Sequence, residues 1–134
     1  MIIGIGTDVI EIERIEKACQ KEAFLRRIFT AEECRQARGS FSKLAGNFAV
    51  KEAVSKCLGT GFRTFMPQDI EVLRDALGKP YVNLFGGAKL LGRTMGIERF
   101  HVTISNTKEY VVAFVIGEGE EDEVYGDRQT DENN

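Results

Sequence analysis

A chain of 134 residues, with 43% hydrophobic side chains and a formal charge of -3, is sized for one domain with a real core. The charge is uneven: residues 118–134 carry eight acids and one Arg, and removing that -7 from the overall -3 leaves residues 1–117 at +4. Three cysteines at wide spacings exclude a disulfide framework or a structural zinc site. The start, MIIGIGTDVIEIERI, meets an acid at its eighth residue and is no signal peptide, and no apolar run approaches the ~18 residues of a membrane span. A reduced, cytoplasmic protein is expected, with no nucleic-acid or membrane partner.

Met1–Thr7 is apolar and β-prone, predicting a short buried strand with Asp8 at its end. Ile10 to Lys21 has helical spacing, and Glu22 to Phe29 continues as a second helical piece. Thr30-Ala-Glu-Glu33 is a capping-box pattern. After the Gly39-Ser40 break, the longest helix is predicted over Phe41 to Leu58, stopped by Gly59-Thr60-Gly61. Beyond Pro67 the pattern turns to strands. Ile70–Leu73 and Tyr81–Leu84 flank a hairpin turn at Asp75-Ala-Leu-Gly78, and Gly87–Met95 reads as a short helix. Phe100 to Ser105 alternates, with Phe100, Val102 and Ile104 on one face and His101, Thr103 and Ser105 on the other. Tyr110–Ile116 is an unbroken apolar run suited to a central strand. Helices first and strands later predict an α+β domain over residues 1–117. The acidic segment 118–134 reads as a disordered extension.

In the long helix Phe48, Glu52 and Lys56 are four apart and share one face, with Lys51 and Ser55 on an adjacent stripe. Taken singly, Glu52–Lys56 reads as a surface ion pair and Asp8 as a helix N-cap. Taken together, one carboxylate from a strand and one from a helix make a hard oxygen site of the kind magnesium accepts while taking further ligands from substrate phosphates. Lys56 would add positive charge beside it, and Gly59 and Gly61 would allow backbone N–H groups to approach phosphate. His101 is the only histidine, and it shares a polar face with Thr103 and Ser105. Cys57 has no acid or base placed beside it and reads as a buried helix cysteine.

The order of these motifs resembles the small bacterial holo-acyl-carrier-protein synthases, the short branch of the 4'-phosphopantetheinyl transferases. The blocks that carry the resemblance are Gly6-Thr7-Asp8 with Arg14, then Phe48-Ala-Val-Lys51-Glu52-Ala-Val-Ser55-Lys56-Cys57-Leu58-Gly59-Thr60-Gly61, then Gly78-Lys79-Pro80 and His101-Val-Thr-Ile-Ser105. The resemblance covers about residues 1–117. It implies a homotrimer with active sites between subunits, and coenzyme A (CoA) and an apo acyl carrier protein as substrates in fatty acid biosynthesis. It further implies Asp8 and Glu52 as magnesium ligands and Lys56 beside the pyrophosphate, with Glu52 or a water at the metal accepting the carrier serine's proton.

Contacts to the nucleotide are implied for Ser55, Lys56, Gly59, Thr60, Gly61, Pro80, His101 and Ser105. Docking of the acidic carrier is expected at Arg14, Lys21, Phe24 and Arg27, of which Arg14 is the family match and the rest follow from charge and position. The chain departs from the family at Asn47, where many members have Arg or Lys, and at Asn106, where many have His. Both positions are expected near nucleotide phosphates. Two other classes remain open: a CoA-binding or assembly module, and a metal-dependent phosphohydrolase.

Overall fold

The structure, a computed structural model, describes residues 1–120. Most of the predicted acidic extension, residues 121–134, lies outside the described residues. The α+β prediction holds. The elements are β1 (Ile2–Glu11), α1 (Ile12–Ala18), α2 (Glu22–Ile28), α3 (Ala31–Ala37), α4 (Phe41–Leu58), a 3-10 turn (Pro67–Asp69), β2 (Ile70–Arg74), β3 (Pro80–Leu84), α5 (Gly86–Met95), β4 (Arg99–Asn106) and β5 (Tyr110–Glu118). Two antiparallel sheets form, one in the order β1-β5-β4 and one the β2–β3 hairpin. The apolar run that reads as a central strand is central: β5 pairs on both sides.

α4 runs through the middle of the domain. The Ser40 hydroxyl accepts from the Lys43 N–H at its start, and Gly59 ends it in the left-handed conformation at φ 81°. Its side chains are buried on nearly every side, from Leu44 and Ala45 to Cys57 and Leu58. β1, β5 and β4 cover one flank with Val111, Ala113, Val115, Phe100, Val102 and Ile104. The β2–β3 hairpin and α3 cover another.

The predicted end of β1 is wrong by four residues. The strand continues through Asp8 to Glu11, because β5 offers a pairing partner for each residue as far as Tyr110. Asp8 therefore lies mid-strand opposite Ala113 and caps no helix; the α1 N-cap is Glu11. Likewise α1 starts at Ile12 and stops at Ala18, shorter at both ends than its periodicity suggests. The Thr30–Glu33 capping box is present in full.

β1 lies directly on α4. A Cβ built on Gly4 would stand 2.5 Å from the Cys57 carbonyl oxygen, and one on Gly6 1.8 Å from that of Ala53. Only hydrogen fits at these two positions. Strand and helix run antiparallel here, since moving from Gly4 to Gly6 moves back from Cys57 to Ala53. Residues alternate across a strand, so Asp8 is the next side chain on the same face.

Candidate active site

Asp8 projects from β1 toward the open side of α4, where Glu52 and Lys56 emerge. Lys56 Nζ donates to Asp8 Oδ1 at 3.2 Å and to the Thr7 carbonyl at 2.9 Å. The surface pair Glu52–Lys56 does not form among the described residues: Lys56 reaches across to the strand instead. Asp8 Oδ2 is buried with no hydrogen-bond partner. Burial first, and then the Asp8 charge, push the Glu52 carboxyl above its ordinary value, with Lys56 opposing.

Two partly buried carboxylates thus lie close together beside one ammonium that is already divided between a carboxylate and a carbonyl. The donor set is all hard oxygen, one buried oxygen is unsatisfied, and the local potential favours a cation. These are the properties of residues that could hold magnesium. Among the described residues no three His, Cys, Asp or Glu side chains converge. A two-carboxylate site therefore leaves most of a metal's coordination to water and substrate oxygens, and it offers nothing for a second metal.

The adjacent stripe of α4 faces the other way. Asn47, Lys51 and Ser55 are all buried. Asn47 Nδ2 donates to the Val72 carbonyl at 3.1 Å. Lys51 Nζ donates to Glu33 Oε1 at 2.7 Å and to the carbonyls of Pro67 and Ile70. Ser55 donates to the Glu52 carbonyl at 2.7 Å. Ser55 is 2% exposed, so its hydroxyl is spent inside the helix and does not reach the open side, contrary to its expected ligand contact. Asn47 is 4% exposed and braces β2; its own amide is not an open phosphate partner. Burial pushes Glu33 up and Lys51 down, each countered by the charge of the other. This pair fastens α4 to α3.

The Gly59–Gly61 stop is at the surface near Lys56. The Gly59 N–H is occupied by the Ser55 and Lys56 carbonyls, so it caps the helix. The Thr60 hydroxyl donates to the Gly61 carbonyl. Gly59 and Gly61 are glycine for their positive φ, with open space where a side chain would stand. Cys57 is 5% exposed and burial raises its thiol pKa, as expected for a core cysteine.

His101 and Ser105 sit on β4 with their side chains on the sheet face turned away from α4, opposite the face that carries Asp8. His101 Nε2 lies 2.9 Å from Glu118 Oε1, and this contact lowers the Glu118 pKa. Pro80 and His101 meet in a cavity of about 390 Å3 shared with Asp75, Lys79, Tyr81, Phe100 and Val102. Asn106 ends β4, exposed. Within one chain the metal-type pair and the His101 cavity are not brought together.

Of the expected docking residues, Arg14, Lys21 and Arg27 are exposed and make no ion pair among the described residues, whereas Lys17 and Arg26 are paired with Glu13 and Glu22. Phe24 is half-buried, its ring 6.3 Å from Phe29 and 6.4 Å from Phe48. The residues that sequence reasoning missed are Gly4 and Gly6 as the seat of Asp8, and the Lys51–Glu33 brace. The first was readable, since Gly4, Gly6 and Asp8 keep a period of two.

Residues 4–115 match the model of the 4'-phosphopantetheinyl transferase superfamily. A holo-[acyl-carrier-protein] synthase of Lachnoclostridium phytofermentans is 58% identical over 118 residues, covering 88% of this chain and 97% of the relative. The crystal structure of holo-[acyl-carrier-protein] synthase from Neisseria meningitidis superposes with a TM-score of 0.79 at 35% identity, covering 88% of this chain and 99% of the other. That of the Bacillus anthracis synthase in complex with CoA (3',5'-ADP) gives 0.74 at 38% identity, covering 90% and 99%. With the Asp8–Glu52–Lys56 arrangement on the same fold, the chain belongs to the 4'-phosphopantetheinyl transferase superfamily and, within it, to the holo-[acyl-carrier-protein] synthase family.

Proposed function

We propose that this enzyme transfers the 4'-phosphopantetheine of CoA to a serine of an apo acyl carrier protein, releasing 3',5'-ADP, with magnesium held by Asp8 and Glu52. The observation that carries the magnesium-dependent reading is the buried, unpartnered Asp8 Oδ2 beside a Glu52 carboxyl held above its ordinary value. A divalent cation bound there would neutralise charge on the pyrophosphate during transfer. Asp8 and Glu52 orient and hold that ion. Lys56, already aimed by Asp8 and the Thr7 carbonyl, supplies fixed positive charge where the leaving phosphate develops negative charge. Glu52, with its raised proton affinity, is the protein group suited to accept the proton of the attacking serine. CoA enters this reading through the CoA complex of the Bacillus anthracis relative.

The assembly is a homotrimer whose active sites lie between subunits. Two features support this. The outer face of the β1-β5-β4 sheet exposes Ile5 (60%), Val9 (60%), Val112 (42%) and Phe114 (41%), an apolar patch of the kind that subunits cover. His101 and Ser105 share that face, so a neighbouring copy can bring them to a site that one chain leaves in two parts. The exposed Arg14, Lys21 and Arg27 around α1 and α2 form the surface for an acidic carrier. The domain of residues 1–117, with its acidic extension, works in the cytoplasm in fatty acid biosynthesis.

The test is to incubate the protein with CoA, magnesium and an apo carrier protein and to weigh the carrier. A gain of one phosphopantetheine is expected, and it disappears with chelator. An unmodified carrier with CoA bound intact would favour a binding module. CoA breakdown without a carrier would favour a phosphohydrolase. Sedimentation at micromolar concentration checks the trimer, and a monomer would refute it.

A further inference from the structure

The described chain ends at Glu120, beside the C-terminal end of α5. Gly119 lies against Gly96: a Cβ built on it would stand 2.1 Å from the Gly96 carbonyl oxygen. On the other side the Gly119 N–H donates to the Met1 carbonyl at 3.0 Å. These contacts fix where the chain leaves the fold, and the exit is the mouth of a groove.

That groove, of about 390 Å3, lies between β3, α5 and β4. One wall is the α5 stripe of Lys89, Gly92 and Arg93, which share a helix face. Among the described residues no carboxylate pairs with Lys89 or Arg93. Glu98 is the one acid in the lining, and it lies 3.9 Å from Arg99. Arg99, at the exit, also gathers Glu118 at 3.5 Å and Glu120 at 3.7 Å. At the far end Phe85 is 48% exposed. The groove is basic along its helix wall and apolar where it ends.

The sequence beyond the exit has the complementary order. Glu120-Glu121-Asp122-Glu123 is an unbroken acidic run, and Val124 and Tyr125 follow it as the only apolar residues between 118 and 134. The lengths agree as well. From Gly96 back to Phe85, α5 and its caps span about 16 Å. An extended segment from Gly119 to Tyr125 reaches about 20 Å. The acids would pass Arg93 and Lys89, and Val124 and Tyr125 would arrive at Phe85. Weak contacts suffice for such a site, because a short tether holds its ligand at about millimolar effective concentration.

We propose that this groove is the docking site of the chain's own acidic segment, with residues 121–123 along Arg93 and Lys89 and with Val124 and Tyr125 on Phe85. The match to the family model ends at residue 115, and the transferase reading gives the segment no role, so the proposal stands apart from that reading.

The test is chymotryptic cleavage after Tyr125 in the full chain, read by intact mass as the initial loss of residues 126–134. The reference is the same cleavage in a free peptide of residues 118–134. Wild type should be cut about tenfold or more slower than the peptide, the scale of one buried side chain and two surface ion pairs. Lys89→Glu with Arg93→Glu should bring the rate within about twofold of the peptide's, and added salt should act in the same direction. Phe85→Ala should speed cleavage about threefold or more, through the apolar end alone. Adding Glu121→Lys and Glu123→Lys to the reversed groove, against a peptide with the same changes, should restore protection. General destabilisation would not produce that rescue.

Wild type cut as fast as the peptide overturns the proposal, as does protection that survives charge reversal of the groove. Protection that grows with protein concentration would put a second copy's segment in the groove, and it overturns docking within one chain.

Discussion

Replacing Lys51 by Met should unfold this enzyme more readily than any single change at its active site. The ammonium is fully buried and so is its partner, Glu33, at 2.7 Å. Removing it strands a carboxylate whose Oε2 already lacks a partner, and it takes a donor from the Pro67 and Ile70 carbonyls. Breaking a buried pair in this way costs about 3–5 kcal/mol, a large share of the ~5–15 kcal/mol that stabilises a typical domain. Burial already raises the Glu33 pKa against the pull of Lys51. Without Lys51 the folded-state pKa rises further above the unfolded one. Proton uptake then favours folding, so the deficit is fullest above the folded pKa and shrinks as pH falls toward the ordinary glutamate value of about 4.3.

The assay is urea denaturation across pH at fixed protein concentration, because any association of copies would make apparent stability depend on concentration. Lys51→Met combined with Glu33→Met removes the stranded charge and should be more stable than Lys51→Met alone by about 1 kcal/mol or more. A single-variant deficit below about 1 kcal/mol at neutral pH, or one that does not change with pH, would refute the reasoning.

Three further outcomes are expected. Because the Glu52 pKa is raised, its contribution to stability is present at low pH and lost as pH rises through the folded value. In chelator at neutral pH, Glu52→Gln should therefore melt at or above wild type, and magnesium should raise the melting temperature of wild type alone; an equal rise in both would sink the metal assignment. Ser55→Ala should leave the KM for CoA within about twofold, since the hydroxyl serves a helix carbonyl, and a tenfold rise would restore it as a ligand. Replacing Arg14, Lys21 and Arg27 with Ala should lower kcat/KM for the carrier and flatten its salt dependence, while kcat at saturating carrier holds; a rate insensitive to salt in wild type would count against electrostatic docking.

The sequence was most legible where a local signal stood alone. Ser40 and Gly59 bound α4 at the predicted residues because cap chemistry is local. The end of β1 was not legible, since only the facing residues of β5 carry the strand past Asp8. On α4 two stripes, Phe48–Glu52–Lys56 and Asn47–Lys51–Ser55, have similar polarity and equal spacing. Helical periodicity separates them but does not say which one meets solvent. Because α4 is enclosed on nearly every side, its second polar stripe became an internal brace, and Ser55 and Asn47 went with it.

The contact of Gly4 and Gly6 with the backbone of α4 works as a mechanical stop. The distance between strand and helix is set by main chain meeting main chain, not by side chains that can change rotamer. The spacing between Asp8 and the Glu52 turn is thereby gauged by the least compressible and least variable parts of the polypeptide. Substitutions elsewhere in the core can alter how firmly the two elements are held while leaving the gap itself at its set width. The width of the gap beside Asp8 is fixed by two hydrogens, and the rest of the core is left to change around it.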